Sequence, residues 1–456
     1  MYHTTFDEFC SYLDSFTNLE KRTGTYSARE YRLDRMSAIL AHLDNPHLSY
    51  RTIHLAGSKG KGSSAMMIAS ALQAAGEKTG LYLSPHLVDY RERFTLSGQF
   101  FDEQILIASS NAFRKAMEGF VFTDDLGVSE VTTFELYTSY AFFLFRYTSC
   151  TIAVIETGLG GRLDATNVVQ PVISIITPIE LEHTQILGDT IAKIAFEKAK
   201  IIKKNTPVLI SRQHRDAKTV LAREADEQNS RLWDITVEVE VITSRTTMEG
   251  ELVHIEWKDG HSSDLTLQLR GEVQGENAAL ALFALKLCGL YREGVSERAV
   301  ETATLPGRMS MIEKNPPVII DGAHTEQSMR HLFNSFTSWF PEGQRIVIFG
   351  ALEDKDILHM ARIIIAQSDH IIISRPGTFK KSNTTATFQL FQTEILRQRA
   401  SSRLYLEEEA DAALALALSL SENSSPILCT GSFYLGGEIL LSHRRLKQTR
   451  ECVSCP

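Results

Sequence analysis

The stretch HLAGSKGKGSSAMM, residues 54–67, decides the fold and raises the first functional question. An apolar strand end runs into three glycines and two lysines, and a helical pattern follows. Gly57, Gly60 and Gly62 would let the backbone approach an anion. Lys61 would neutralise that anion and Ser63 could ligate magnesium. The sequence therefore predicts a phosphate-binding loop.

The spacing of this loop departs from the usual G-x-x-x-x-G-K-[ST] pattern. Gly57 is too close to Gly60, and Gly62 separates Lys61 from Ser63. A tight glycine turn with solvated lysines therefore stays open as an alternative.

Short β-branched apolar runs alternate with helical periodicity on both sides of the loop, from Arg51 to Leu209. This alternation is typical of a parallel sheet covered by helices on both faces. The predicted strands are RTIHLAG, TGLYLS, CTIAVIETG, PVISIIT and TPVLIS.

The pattern changes between about residues 232 and 269, where VHIEWKDGHSSDLTLQL predicts a hairpin that turns at Asp259 and Gly260. A helix, NAALALFALKLCG, follows and ends at Gly289. After LPGRM the strand and helix alternation restarts with PPVIIDGAH, RIVIFGAL, HIIISRPG and PILCTG. We therefore expect two α/β domains, with a boundary near residue 304 and a cleft between them.

Composition excludes several classes of protein. The 456 residues carry a net charge of -9 and show no basic stripe, which argues against nucleic-acid binding. No apolar run approaches the roughly 20 residues of a membrane helix. The beginning, MYHTTFDEFCSYLDSF, predicts an amphipathic helix rather than a signal peptide, so a cytoplasmic location is expected.

Cysteine usage fits a reducing compartment. Cys150, Cys288 and Cys429 lie in apolar contexts that predict reduced core thiols. The terminal CVSC is the only CxxC in the chain, and a zinc site needs about four ligands, so a zinc site there is disfavoured.

Acidic and imidazole side chains follow two of the predicted strands. Glu156 ends a buried strand, and ligands of open parallel sheets bind at that edge. It could hold Mg²⁺ or cap the following turn. Glu182 and His183 end the next strand, where the histidine is either a ligand or a surface residue.

The second half repeats this strand-to-turn arrangement with Asp321, His324 and Ser432. An aspartate just beyond a strand binds a ribose hydroxyl or caps a helix, and one motif does not separate these roles. Arg308 lies at the domain junction, where it could reach a phosphate across the cleft or form a structural ion pair.

Taken in order, these motifs resemble the folylpolyglutamate synthase and dihydrofolate synthase family of the Mur ligase superfamily. The similar segments are HLAGSKGKGSS, GLYLSPHLVDYRERFTLSG, IETGLGGRLDATN, LEHTQILGDTIAKIAFEKAKIIK, PGR, DGAH, DK at 354–355 and TGSFYL. They cover nearly the whole chain. The resemblance implies an α/β protein with a P-loop-type, mostly parallel-sheet ATPase domain at 1–303 and a smaller, Rossmann-like glutamate-ligase domain at 304–456.

The resemblance also implies a nucleotide site. Lys61 would contact the phosphates of ATP, Asn277 and Asp321 would hold adenine and ribose, and Arg308 would reach the phosphates when the domains close. The residues implied at ATP are Gly57, Ser58, Lys59, Gly60, Lys61, Gly62, Ser63, Asn277, Arg308 and Asp321.

Two Mg²⁺ ions and the acceptor substrate are implied as well. Lys198 matches a lysine that the family carries as a carbamate, which would turn a cation into a metal-binding anion. The implied metal ligands are Ser63, Ser84, Glu156, His183 and Lys198. The implied substrate residues are Ser84, Pro85, His86, Asp164, His324 and Ser432, and the implied catalytic residues are Lys61, Asp164, Lys198, Arg308 and His324.

The implied reaction is an ATP-dependent ligation of L-glutamate to dihydropteroate or a reduced folate, through an acyl phosphate, by a monomer. A Mur-type ligase with a non-folate acceptor and a catalytically inactive nucleotide-binding relative are the alternatives. The chain departs from the family pattern at Lys59, Glu182, Lys200, Thr325 and Glu326.

Overall fold

The computed structural model describes residues 3–17, 32–123, 126, 130–377, 381–421 and 424–454. Within these residues the chain forms three sheets in an α/β arrangement. The first sheet is built around the phosphate-loop strand, the second is a small antiparallel sheet, and the third belongs to the C-terminal part of the chain.

Seven strands form the first sheet. They are β1 (Arg51–Ala56), β2 (Thr79–Tyr82), β3 (Phe94–Leu96), β4 (Ile152–Glu156), β5 (Ile173–Ile176), β6 (Val208–Ile210) and β7 (Leu232–Asp234). Their order is β3-β2-β4-β1-β5-β6-β7, and every pairing is parallel except β2 with β3. Because β1 lies between β4 and β5, the loops that follow these three strands meet at the middle of one edge.

Helices cover both faces of this sheet. They are α1 (Phe6–Asp14), α2 (Leu33–His42), α3 (Lys61–Ala74), α4 (Glu103–Ala116), α5 (Thr133–Tyr147), α6 (Thr184–Leu187), α7 (Ile191–Ala199), α8 (Arg215–Glu227), α9 (Ile235–Glu238), α10 (Gln274–Leu287) and α11 (Val295–Thr302). On one face, α3 packs with α10 and α11 in a core of small and aliphatic residues. On the other face, α1 and α5 form a core rich in aromatic side chains.

The second sheet is antiparallel and consists of β8 (Val239–Thr246), β9 (Glu251–Trp257) and β10 (Ser262–Leu267), with β9 in the centre. Gly260 has a positive φ of 87° in the turn between β9 and β10, as the predicted hairpin requires. Apolar side chains of this sheet pack against α10.

The third sheet contains β11 (Ser310–Lys314), β12 (Pro317–Ile320), β13 (Ile346–Phe349), β14 (His370–Ile373), β15 (Arg403–Leu406) and β16 (Ile427–Thr430). Its order is β11-β12-β16-β13-β14-β15, and only the β11–β12 pairing is antiparallel. The accompanying helices are α12 (Glu326–Trp339), α13 (Ile357–Gln367), α14 (Thr384–Gln398), α15 (Ala410–Leu420) and α16 (Phe433–Ser454).

The α/β fold class with two mostly parallel sheets is confirmed, as is the amphipathic helix near the beginning, which buries Phe6, Phe9, Cys10 and Leu13. The expected boundary near residue 304 lies between α11 and β11, and the division into two domains stays a prediction.

Cys150 and Cys429 are buried free thiols and Cys288 is a half-buried one, as expected. Cys455 of the CVSC motif lies outside the described residues. Among the helices that the structure describes, none is long and apolar enough to cross a bilayer.

Candidate active site

Hydrogen bonds to the segment after β5 fix the backbone of the loop after β1. The backbone N–H groups of Ser58 and Lys59 donate to the carbonyl oxygen of Pro178 at 2.8 and 3.2 Å. The Ser58 hydroxyl accepts from the N–H of Glu180 at 3.0 Å. With residues 58 and 59 tied down in this way, the first-turn N–H groups of α3, which no helical carbonyl can satisfy, are left for an anion.

Two glycines of the loop are required by contacts as well as by conformation. Gly57 and Gly60 have positive φ values of 151° and 83°. A Cβ atom on Gly57 would lie 1.9 Å from Oγ1 of Thr177, and one on Gly60 would lie 2.6 Å from Oδ1 of Asn277. The start of α10 therefore packs directly on the loop, with Asn277 beside it, and the role of Asn277 at adenine stays a prediction.

Two lysines share one carbonyl oxygen of this loop. Lys61 Nζ donates to the Gly57 carbonyl oxygen at 3.0 Å, and Lys198 Nζ donates to the same atom at 2.7 Å. Lys198 is buried, and its ammonium also pairs with Oε1 of Glu182 at 2.9 Å. Burial lowers the pKa of Lys198, Glu182 raises it, and the nearby charge of Lys61 lowers it again.

Glu156 supplies a buried carboxylate next to these cations. Its Oε1 lies 3.8 Å from Lys61 Nζ, and its Oε2 accepts from the backbone N–H of Ser84 at 3.3 Å. Burial raises the pKa of Glu156, and the positive charges of Lys61 and Arg308 oppose this rise.

The structure partly gathers the predicted metal ligands. In the described residues, no three His, Cys, Asp or Glu side chains come together as a metal site of their own. Mg²⁺ at a phosphate needs only one or two protein oxygens, because phosphate and water complete its shell. The carboxylate of Glu156 and the hydroxyl of Ser63, in the first turn of α3, fit that requirement. His183 is solvent-exposed and precedes α6, and its role as a ligand stays a prediction.

The C-terminal part of the chain reaches the same place. The guanidinium carbon of Arg308 lies 4.3 Å from the ring centre of Phe433, and its charge acts on Glu156. A Cβ atom on Gly62 would lie 3.3 Å from Cδ2 of Leu305, so the segment before Arg308 covers the beginning of α3. Burial lowers the pKa of Arg308, and the charges of Asp321 and Glu156 oppose this.

Asp321 and His324 follow β12. The Asp321 carboxylate accepts from the N–H groups of Met309 and Ala323 at 2.9 and 2.8 Å. Burial raises its pKa, while Arg308 acts in the opposite direction. Burial lowers the pKa of His324 to about 3, with the charge of Lys59 next in effect, so this imidazole stays neutral.

The remaining predicted substrate residues mostly contact their own loops. The Ser432 hydroxyl accepts from the N–H of Tyr434 at 3.0 Å where α16 begins. Nδ1 of His86 accepts from Nε of Arg93 at 2.9 Å, and Pro85 is exposed. Asp164 accepts from the N–H of Leu159 at 2.8 Å within the loop after β4.

Three of the side chains that depart from the family pattern make polar contacts with neighbouring residues. Lys200 forms an ion pair with Glu224 of α8. Thr325 caps α12 by accepting from the N–H of Ser328 at 3.3 Å. Glu326 pairs with Arg330 one helical turn later at 2.7 Å, so its charge is compensated on its own helix.

Comparisons with known proteins give matches to both parts of the chain. The description "Mur ligase middle domain" matches residues 55–285, and "Mur ligase, glutamate ligase domain" matches residues 307–433. The chain is 30% identical over 425 residues to the dihydrofolate synthase/folylpolyglutamate synthase of Bacillus subtilis, covering 91% of this chain and 95% of that protein. The chain belongs to the folylpolyglutamate synthase and dihydrofolate synthase family of Mur ligases.

Solved structures of this family share the fold. The folylpolyglutamate synthase of Mycobacterium tuberculosis complexed with ADP superposes with a TM-score of 0.85 at 26% identity, over 97% of this chain and 98% of that one. Escherichia coli FolC in complex with DHPP and ADP gives a TM-score of 0.81 at 26% identity, over 97% of this chain and 99% of that one.

The sequence did not predict the contact of Phe433 with Arg308 in the present chain. Its only signal was an aromatic residue directly after Ser432.

Proposed function

We propose that this chain is an ATP-dependent ligase that joins L-glutamate to dihydropteroate, to a reduced folate, or to both. One observation carries the proposal. Lys61 and Lys198 meet at the carbonyl oxygen of Gly57 beside the buried Glu156, and Arg308 brings a further cation from the C-terminal part. Such a cluster suits the transfer of a phosphoryl group.

In this proposal ATP binds at the loop after β1. Its phosphates lie on the first turn of α3, where Lys61 compensates their charge, and Lys59 and Ser58 belong to the same loop. Asn277 and Asp321 approach from opposite parts of the chain and hold the adenosine. The relatives solved in complex with ADP support the binding of a nucleotide.

Mg²⁺ would be held by Ser63 and Glu156, with Ser84 and His183 as further ligands, and it would supply charge compensation for the transferring phosphoryl group. Lys198 as a carbamate would be a ligand of a second Mg²⁺ ion. Carbamate formation needs a neutral amine, and burial lowers the pKa of Lys198 in that direction. Glu182 would then face an anion instead of an ammonium ion.

The acceptor carboxylate attacks the γ-phosphate, which gives an acyl phosphate and ADP. Lys61 and Arg308 stabilise the negative charge that moves between the oxygens. The amine of glutamate then displaces phosphate, with His324 and Ser432 placing the amino acid and Asp164 near the reacting carboxylate. Because water would hydrolyse the acyl phosphate, the two parts of the chain close over it. We propose further that the enzyme acts as a cytoplasmic monomer.

The test is to incubate the purified chain with ATP, Mg²⁺ and L-glutamate, together with dihydropteroate or with tetrahydrofolate. ADP release and product mass are measured. A product heavier by one glutamyl residue with either acceptor is the expected result. ADP release that does not depend on an acceptor, with no glutamylated product, would contradict the proposal and favour a non-folate acceptor or an inactive relative.

A further inference from the structure

His54 is a polar side chain in the interior of β1, a central strand of the first sheet. It lies on β1 between Ile155 of β4 and Ser174 of β5 and is fully buried. Its Nε2 lies 2.9 Å from Oγ1 of Thr166. Burial, followed by the charge of Lys203, lowers the pKa of His54 to about 3, so the imidazole is neutral.

The hydrogen-bond directions around this histidine follow from the chemistry of its neighbours. Asp164 Oδ1 lies 2.5 Å from Oγ1 of Thr166 and accepts from the Thr166 N–H at 3.0 Å. Burial raises the pKa of Asp164, and the N–H and hydroxyl groups that donate to it oppose this rise. Because N–H donors face both of its oxygens, the carboxylate acts as the acceptor, so the Thr166 hydroxyl donates to it and has only lone pairs left. His54 Nε2 must therefore carry the proton and donate to Thr166.

This assignment leaves Nδ1 of His54 without a proton. That atom is buried and, within the described residues, has no hydrogen-bond partner. A buried polar atom without a partner is unfavourable, and an aliphatic side chain would fill the strand position without it. The imidazole at this position is thus explained by its Nε2 donor rather than by packing.

The hydrogen-bond chain ends in the loop of residues 157–167. Asp164 Oδ2 accepts from the Leu159 N–H, and the Gly158 N–H also donates to this carboxylate. The loop lies on α7, because the N–H of Arg162 donates to the carbonyl oxygen of Glu197 at 2.7 Å. A Cβ atom on Gly161 would lie 3.1 Å from Cα of Lys198. The loop therefore runs from the end of β4, which carries Glu156, to the helix that carries Lys198.

We propose that His54 and Thr166 are positioning residues of the ligase reaction, which act through Asp164 to fix the 157–167 loop against the bound acceptor substrate. This inference rests on the proposed function. It gives Asp164 the task of holding the loop, because the donors of Thr166, Leu159 and Gly158 already occupy its oxygens. His54 and Thr166 themselves touch no substrate.

The experiment compares matched variants of the full chain. Thr166→Val and His54→Leu remove the donors, whereas Thr166→Ser and His54→Gln keep a donor at nearly the same place. We expect the first pair to raise the KM for the pteroate or folate acceptor about tenfold or more, with the KM for ATP changed about twofold at most. The second pair should restore nearly wild-type values. Amide hydrogen exchange of residues 157–167 should be faster in the first pair only.

The outcomes separate the inference from the proposed function. An active wild type in which Thr166→Val leaves the acceptor KM unchanged, or raises the KM for ATP equally, would overturn the inference. A wild type that glutamylates no folate would refute the proposed function and, with it, the acceptor part of the inference. Unchanged exchange of the loop in Thr166→Val would overturn the positioning role whatever the activity.

Discussion

At the scale of single residues, the Gly57 carbonyl oxygen is the atom at which two positively charged side chains of the site meet. It accepts from both Lys61 and Lys198, and Glu182 compensates only the second of these cations directly. The Lys61 ammonium is thus held by a neutral oxygen and by Glu156 at 3.8 Å. The γ-phosphate of ATP would supply the missing negative charge.

Lys61→Ala tests this reading. Because the lysine acts through charge and its side chain is half-buried, we expect acceptor-dependent ADP formation to fall at least about 100-fold, with little change in melting temperature. Steady-state kinetics and thermal denaturation measure the two effects. Lys204→Ala, which removes an exposed lysine, is the matched control and should keep wild-type activity. A folded Lys61→Ala protein with nearly wild-type turnover would refute the role.

His47 provides a pH prediction for stability. Burial lowers its pKa from 6.5 to about 4, and its Nδ1 has no partner in the described residues. Between these pH values the unfolded chain binds a proton that the folded chain does not, so the free energy of unfolding falls as the pH falls. At 1.36 kcal/mol per pKa unit, the loss reaches about 3 kcal/mol near pH 4.

Denaturant unfolding of the wild type and of His47→Gln across this pH range measures the effect. The glutamine variant should show a smaller loss of stability on acidification. Parallel stability curves for the two proteins would contradict the prediction.

At the scale of elements, the conformation of the loop between β1 and α3 depends on the absence of side chains at its glycines. Gly57→Ala would place a methyl group on Thr177 in addition to straining the backbone, and we expect loss of ADP binding. Gly76→Ala is the matched control, because Gly76 also has a positive φ, 95°, with no atom within 4 Å of an added Cβ. It should cost about 1 kcal/mol of stability and leave ADP binding intact.

Calorimetric titration with ADP measures both variants. Binding by Gly57→Ala equal to that of Gly76→Ala would show that the contact with Thr177 is unimportant.

The elements that could be predicted from the sequence are those with a strong local pattern. β1, β2, β4, β5 and β6 are buried apolar runs, and the loop after β1 is marked by its glycines. The missed strands include β3, β7, β11 and β15, which are three to five residues long and lie at sheet edges, where partial exposure weakens the apolar signal.

Some residues of the candidate site could likewise be predicted from the sequence, and others could not. Lys61, Glu156, Lys198 and Arg308 could be named because each lies in a recognisable motif. The pairing of Lys200 with Glu224 could not, since it joins two helices in space. The chain from His54 through Thr166 to Asp164 also escaped prediction, because it links β1 to a loop more than 100 residues away.

At the scale of the whole molecule, the site needs both parts of the chain. In addition to the contacts of Arg308, Glu272 joins the two parts of the chain. The carboxylate of Glu272 pairs with His331 of α12, and the backbone N–H of Glu272 donates to the Ser335 hydroxyl at 3.0 Å. Leu87, in the loop after β2, packs against Gly307 and Gly436. These contacts hold the C-terminal part over the loop after β1.

Arg308→Met tests the contribution across this contact. Methionine keeps apolar contact with Phe433 and removes the charge, so we expect kcat to fall at least about 100-fold while ADP affinity changes little. Kinetics and calorimetry on the same preparation separate the two quantities. Arg298→Met, an exposed arginine on α11, is the control. An unchanged kcat in Arg308→Met would remove this residue from the reaction.

The most direct test of the proposed chemistry follows oxygen atoms. Dihydropteroate, or tetrahydrofolate if that is the acceptor, is labelled with ¹⁸O in its reacting carboxylate and converted in the presence of ATP and L-glutamate. An acyl phosphate requires that one labelled oxygen leave with the released inorganic phosphate. Phosphate that carries one ¹⁸O per amide bond formed is the predicted result, and unlabelled phosphate alongside glutamylated product would contradict it.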